Sequence, residues 1–257
     1  MQLGHLQITA LSDGEAKLPP QYFHNADWGP HQALLGPDGF VTIPLGCFLI
    51  RDGERTVLVD AGIGPVSNQF FRGGDLPSQL EAAGVSPSDV DLLLCTHLHI
   101  DHIGWLVSDG APFFPNATVR FGSQDIDQFV ANAAPDDMTR LAIEALGPRV
   151  ETIDADGEIA PGISTIHTPG HTLGHRSVIL SAGDQRVFLL GDAITCPIQL
   201  TESDWEAISD VDAKAAKRSR EALWRELEGS EDVAVASHFP GLEFNRVLAG
   251  EGKRYWS

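Results

Sequence analysis

Residues 97–102 read His-Leu-His-Ile-Asp-His, which puts three histidines and an aspartate into six consecutive positions. Neutral imidazole and carboxylate are the ordinary nitrogen and oxygen ligands of zinc and its neighbours. The preceding run, Asp91-Leu92-Leu93-Leu94-Cys95, has the length and bounds of a buried strand. Extended chain through His97 and His99 would turn both rings to one side. Gly104 then breaks the extended run, so Asp101 and His102 fall where the chain turns. Four ligand-type groups at one strand end exceed the needs of one tetrahedral ion once others arrive from elsewhere, so the spacing predicts two ions.

At these residues the chain resembles the metallo-β-lactamase superfamily, whose His-x-His-x-Asp-His signature is matched at every ligand position. The resemblance implies three further ligands in chain order. They are His171 in Thr168-Pro169-Gly170-His171-Thr172, Asp192 in Leu189-Leu190-Gly191-Asp192-Ala193, and His238 in Ala236-Ser237-His238-Phe239. It assigns His97, His99 and His171 to one ion and Asp101, His102 and His238 to the other, with Asp192 bridging. Two ions in such a site sit roughly 3.5–4 Å apart. Asp60 resembles the family's early acidic residue, which lies behind the metals and orients ligands by hydrogen bonding rather than binding an ion. Zinc is the default for this donor set, and iron and manganese accept it too.

The chemistry implied is hydrolysis, with Asp101 and Asp192 as the catalytic carboxylates. A water shared by two cations loses its proton, and the hydroxide attacks an electrophilic carbonyl or phosphorus. No serine or cysteine nucleophile is needed. Among the family's branches, the spacing and the run Thr96-His97-Leu98-His99-Ile100-Asp101-His102-Ile103-Gly104 look most like the lactonase and organophosphate-hydrolase-like branch. Phe114-Pro115-Asn116-Ala117 strengthens this. There is one departure. Acyl-homoserine lactonases typically carry a tyrosine shortly after the bridging aspartate, where this chain has Ala193-Ile194-Thr195-Cys196. Its two tyrosines are Tyr22 and Tyr255, so activity on such lactones turns on whether Tyr22 folds over the site. The expected function is a dinuclear metal-dependent hydrolase of a small ester, lactone or related compound. The alternatives are a small-molecule phosphodiesterase or phosphotriesterase, and a metal-retaining sensor with little turnover.

The elements that must position these groups are legible as short strands and helices. Leu6 to Leu11 reads as a first strand ending at Ser12-Asp13-Gly14. Leu45–Ile50 and Arg55–Val59 flank Asp52-Gly53 as a hairpin, and Ser177–Leu180 and Arg186–Leu190 flank Gly183-Asp184 as a second. Each second arm runs into an acidic residue, Asp60 or Asp192, which hints at a duplicated two-sheet core. Further strands are expected at 118–121, 150–153 and 163–167. Helices are expected at 76–83, from Ser123 through Val130, at 138–146 and at 211–227, the last with Asp212 as N-cap. Strands interleaved with helices give an α/β (α+β) fold, and the resemblance implies a four-layer αβ/βα sandwich of two mixed sheets flanked by helices, a single domain over 1–257.

Residues 18–42 are rich in proline, glycine and aromatics without a period, and read either as a lid over the site or as a surface wrap. Tyr22, Phe23, Trp28, Trp105, His175, Cys196 and Phe239 are the candidate walls of a substrate pocket. For Trp105 a core plug is equally open. His167 reads as structural. The cluster Lys214, Lys217, Arg218, Arg220 and Arg225 reads as a solvated helix face.

Composition sets outer bounds. A formal charge of −19 over 257 residues repels phosphate backbones, so nucleic acid is not an expected partner. Three widely spaced cysteines, Cys47, Cys95 and Cys196, make no disulfide framework. No stretch reaches the ~20 apolar residues of a membrane span, and the first residues do not read as a signal peptide. The expectation is a cytoplasmic protein acting on a small molecule, compatible with a homodimer.

Overall fold

A computed structural model of the chain describes residues 1–250 and 253–256. The first sheet lines up β1 (Leu6–Leu18), β2 (Val41–Arg51), β3 (Thr56–Val59), β4 (Leu92–Leu94), β5 (Thr118–Gly122) and β6 (Val150–Ile153) side by side in chain order, with Gln2–Leu3 and Phe71–Arg72 paired to β1. The second lines up β7 (Gly157–Ala160), β8 (Ile163–His167), β9 (Arg176–Ala182), β10 (Gln185–Leu189) and β11 (Val233–Val235). The helices are α1 (Leu76–Ala82), α2 (Ile100–Ile103), α3 (Met138–Leu146) and α4 (Ala213–Leu227).

The two expected hairpins are present as β2–β3 and β9–β10, both antiparallel. Each is followed by a helical crossover and a parallel strand: α1 leads from β3 to β4, and α4 leads from β10 to β11. Parallel strands need such crossovers because no tight turn can reverse the chain twice.

Both faces of each sheet are covered, which is why the strands are apolar almost throughout. Val57, Val59, Leu92 and Leu94 point between the sheets to meet Val178, Leu180, Val187 and Leu189. Leu58 and Leu93 point the other way, onto Leu76 and Leu80 of α1 and Ile143 and Leu146 of α3. On the far side, Phe188 and Ala234 meet Leu223, Trp224 and Leu227 of α4. Three apolar layers thus separate four structural ones, the αβ/βα order expected. Fully burying a side chain such as Leu58 stabilises by roughly 1.5–3 kcal/mol.

Several expectations are corrected. β1 does not stop at Ser12 but continues to Leu18 through a register shift between Ser12 and Glu15. The shift turns the Asp13 carboxylate inward. Its Oδ2 accepts from the amides of Ile63 and Gly64 at 2.8 and 2.9 Å, and its Oδ1 accepts from the Leu76 amide and Trp105 Nε1, both at 2.8 Å. Trp105 is therefore a core plug tied to Asp13. The chain from Ser123 gives a single π turn at Asp127–Ala131 in place of a regular helix.

Within residues 18–42 there is more order than the composition suggests. Pro20–Tyr22 and Gly29–Leu34 are 3-10 turns, and Phe23–His24 pairs with Glu206–Ala207. Trp28 packs against Trp205 with ring centroids 4.8 Å apart and planes tilted by 55°, which fastens the segment to the stretch before α4.

Gly104 also differs from expectation. It does not break an extended run, since it caps α2 at φ −58° and ψ −30°, a conformation open to any residue. What requires glycine is space: a Cβ there would lie 2.0 Å from the Ile63 carbonyl carbon. The turn at 61–64 is stitched to α2 by Ala61 N–H to His102 O at 2.7 Å and Gly104 N–H to Gly62 O at 2.6 Å.

Replacing Asp13 by alanine would leave these buried donors without an acceptor. The expected loss is about 3 kcal/mol of unfolding free energy, because each orphaned buried group forfeits roughly 1–3 kcal/mol and the loops relax only in part. Urea unfolding followed by tryptophan fluorescence reads it, and an unchanged midpoint would show that the Asp13 contacts are inert.

Candidate metal centre

The end of β4 delivers the signature. The strand stops at Leu94, so His97 and His99 lie on the loop beyond it, not within it. His99 is extended at φ −73° and ψ 151° and serves as the N-cap residue of α2, which carries Asp101 and His102. His171 comes from the loop between β8 and β9, Asp192 from the turn after β10, and His238 from the end of β11.

The structure brings these seven residues together. Donor atoms of His97, His99 and His171 form one group, those of Asp101, His102 and His238 another, and those of His97, His102 and Asp192 a third, each within 4.8 Å. His99 Nδ1 lies 2.9 Å from both His97 Nε2 and His171 Nε2. Asp192 reaches both sides: Oδ2 is 3.3 Å from His171 Nε2 and 3.2 Å from His238 Nε2, while Oδ1 is 3.3 Å from His102 Nε2. Asp101 Oδ2 lies 3.5 Å from His238 Nε2.

Outer partners fix which nitrogen of each ring faces inward. His102 Nδ1 donates to Asp60 Oδ2 at 2.8 Å, His171 Nδ1 to Asp210 Oδ1 at 3.0 Å, and His238 Nδ1 to the Pro44 carbonyl at 2.8 Å. Thr96 Oγ1 donates to Asp60 at 3.0 Å, which leaves it to accept from His97 Nδ1 at 3.1 Å. In each of these four rings the Nε2 lone pair is left pointing at the cluster. Asp60 is held at φ +61°, and also accepts from the Thr96 amide at 2.7 Å, so it sits behind the donors as the sequence suggested.

The electrostatics agree with a cation-binding centre. Burial, joined by the neighbouring rings, holds His97 well below the ordinary imidazole range, and burial beside His171 pushes His99 down to about 3. Both are thus neutral at pH 7, the form in which imidazole can bind a cation. For His102 burial also lowers, but Asp60 and Asp192 outweigh it and the ring is raised; His238 is raised by Asp192 against the same burial. Burial raises Asp192, yet His238, His102 and His171 outweigh it and hold its carboxyl well below the usual range. The carboxylates that attract a proton to His102 and His238 would attract a divalent cation at the same place.

Two buried atoms point to a bound cation. His102 Nε2 and Asp192 Oδ1 are buried and have no hydrogen-bond partner among the described residues. Such orphans cost roughly 1–3 kcal/mol each in a protein interior. They are good metal donors, and a borderline cation satisfies both at once. The residues present therefore fit two divalent ions of the zinc type.

His99, Asp101, His171, Asp192 and His238 form part of the wall of a cavity of about 330 Å³. Tyr22 completes it, with Leu18, Ile43, Phe71, Ile100 and Phe129 among the apolar lining. The other candidate pocket residues lie elsewhere. Phe23, Trp28 and Cys196 pack in an aromatic cluster around Trp205, and Phe239 is in the core under α4. His175 is fully buried; its Nε2 accepts from the Asp192 amide at 2.9 Å and its Nδ1 bonds Thr168 Oγ1 at 2.8 Å, so it shapes the turn that carries Asp192.

The sequence reading passed over Ser209, Asp210 and Asp125. Asp125 accepts from the Leu98 and Gly174 amides at 3.2 and 2.6 Å, joining the two histidine loops. Arg220, expected on a solvated face, is instead 1% exposed and faces Asp210. A buried turn of α4 is the reason, and only its 3.6-residue phase relative to Leu223, Trp224 and Leu227 could have signalled it.

A family model described as the metallo-beta-lactamase superfamily matches residues 47–108. An N-acyl homoserine lactonase of Bacillus sp is 28% identical over 165 residues, 58% of this chain and 62% of its own length. The chain thus spans a little under two thirds of the length of the lactonase relatives it matches. AidC, a dizinc quorum-quenching lactonase, superposes with a TM-score of 0.90 at 23% identity, covering 100% of this chain and 95% of that one. The hydrolase AbOPH superposes at 0.87 with 26% identity over 100% and 95%. Motif, donor geometry, four-layer fold and these likenesses agree in one direction: over residues 47–108 and in its fold, the chain is similar to the metallo-β-lactamase superfamily.

Proposed function

We propose that this protein is a metal-dependent hydrolase that opens a neutral lactone or small ester. In this reading His97, His99 and His171 would hold one divalent ion and Asp101, His102 and His238 the second, with Asp192 placed between the two groups. Zinc is the expected metal. The observation that carries the proposal is the cavity wall, where the donor cluster, a phenol and an apolar lining meet. Two bound divalent ions would supply Lewis acidity and a water acidified to near neutral pH.

The chain's own groups do the rest. Tyr22 Oη lies 2.6 Å from Ser209 Oγ, which fixes the phenol at the cavity edge. Burial, with the charge of Asp192 nearby, holds that phenol above its ordinary range, so it stays protonated. A protonated phenol can donate to a carbonyl oxygen as negative charge develops on it. The apolar wall takes up the hydrocarbon part of a substrate and excludes water. The cavity lining carries no lysine or arginine among the described residues. Nothing on the chain would then grip the fixed charge of a phosphodiester, which favours neutral substrates. The relatives named N-acyl homoserine lactonases make such lactones the first compounds to try. In this respect Tyr22 stands where the sequence lacks a tyrosine after Asp192.

The decisive measurement pairs metal analysis with a panel of acyl homoserine lactones, aryl esters, aryl phosphotriesters and aryl phosphodiesters. The expected result is lactone and ester hydrolysis that is lost on chelation and restored by zinc, with His97→Ala and Asp192→Asn reducing both bound metal and turnover. Full turnover by metal-free protein would refute the reading. Tight lactone binding without turnover would favour a sensor, and preference for phosphodiesters would refute the neutral-substrate argument.

Tyr22→Phe isolates the phenol. It should lower kcat by roughly 10²-fold, the effect of removing one donor to a developing oxyanion, with metal content unchanged. Unaltered kcat would remove Tyr22 from the chemistry.

A further inference from the structure

We propose that Arg220 and Asp210 form a buried positioning pair that sets the affinity of one ion, the one held by His97, His99 and His171, and so ties α4 to metal loading. The inference rests on the metal centre proposed above but not on any substrate. Asp210 uses both carboxylate oxygens: Oδ1 accepts from His171 Nδ1 at 3.0 Å, and Oδ2 faces Arg220 Nη1 at 3.4 Å. The segment carrying Asp210 is also bonded along its backbone to the His171 loop. Val211 N–H reaches the His171 carbonyl at 3.2 Å, and Asp212 N–H reaches the Gly170 carbonyl at 2.9 Å. Gly170 allows this closeness: a Cβ there would lie 1.9 Å from the Ala216 amide of α4. His171 is therefore clamped by α4 and the segment leading into it.

Fold stability does not account for the pair. Arg220 is 1% exposed, and its Nε and Nη2 have no partner among the described residues. A buried ion pair so poorly satisfied is often no better for stability than apolar residues of similar size. A carboxylate behind a ligating imidazole has a clear use, however. It fixes the tautomer, aims the ring and strengthens the ligand, and its loss typically costs 10–100-fold in metal affinity. Arg220 faces the other oxygen of that carboxylate and holds it in place. Only His171, among the seven donors, is served by this pair, so the effect is confined to one of two ions.

The test is zinc titration of the full-length protein against a chromophoric chelator, for the wild type and three variants, with thermal melts of the metal-free forms. Asp210→Asn keeps the shape and removes the charge; it should weaken one of two binding steps 10–100-fold and leave the other unchanged. Arg220→Lys should retain most of the affinity. Asp210→Asn combined with Arg220→Met removes both buried charges. It should melt no lower than the wild type without metal and still show one weakened step. Two wild-type binding steps in the Asp210→Asn protein would overturn the proposal. So would equal weakening of both steps together with a lowered metal-free melting temperature, which would mark a purely structural pair. A wild-type protein that takes up no divalent ion would overturn the metal centre as well.

Discussion

Each imidazole has two nitrogens, and in four of the five clustered rings the structure commits the outer one so that the inner one faces the cluster. Asp60, Asp210, the Pro44 carbonyl and Thr96 Oγ1 take the outer N–H groups of His102, His171, His238 and His97. Inner lone pairs cannot satisfy one another, and the carboxylates of Asp101 and Asp192 add only acceptors. Protons on His102 and His238, or divalent cations in their place, would satisfy these inward-facing acceptors. Ion binding and folding would then be linked: the unfolded chain has no such site, so the binding free energy would add to that of the fold.

The sheets solve the delivery problem twice with one device. β2–β3–α1–β4 and β9–β10–α4–β11 are each a hairpin, a helical crossover and a parallel strand. In an α/β layer, groups beyond the carboxyl ends of parallel strands are free of the ladder and can converge. After β3 the chain enters a left-handed residue at Asp60, and after β10 it does so at Gly191, one residue before Asp192. That single-residue offset separates their roles: Asp60 turns beneath the donors, and Asp192 turns into them. The halves are joined where they meet the site, since Ser237 O accepts from the Gly46 amide at 2.8 Å and His238 bonds Pro44.

This division explains what could be read from the chain. The hairpins were legible because Asp52-Gly53 and Gly183-Asp184 sit between apolar runs, and the donors because metal chemistry restricts residue type and spacing. Long-range polar contacts leave no such trace. Asp13 looks like a turn residue in Ser-Asp-Gly, yet a register shift in β1 turns it into an acceptor for loops some fifty positions away. Arg220 sits in a Lys- and Arg-rich stretch that reads as solvated, and only its phase on α4 buries it. The placement of Tyr22 leaves no trace in the sequence either, because the stretch that carries it is placed by Phe23–His24 pairing with Glu206–Ala207, a contact between distant segments. Aromatic residues in an irregular stretch do not declare which of them faces a cavity, and here Phe23 and Trp28 turned away while Tyr22 turned in.

The charge of −19 does not all lie on the surface, and part of it is spent on the interior. Asp60, Asp192 and Asp210 are buried, Asp101 is largely covered, and all four touch the histidine cluster. Their formal charges would offset two dications. Arg220 adds one positive charge on the α4 side of the cluster, and a hydroxide carried by the ions would add one negative charge, so these charges would balance. In the proposed reading a neutral substrate enters such a centre without disturbing that balance, and negative charge developing on its carbonyl oxygen would meet the ions and the Tyr22 phenol. A few of the acidic residues thus serve the buried cluster, while the remainder set the charge of the molecule as a whole.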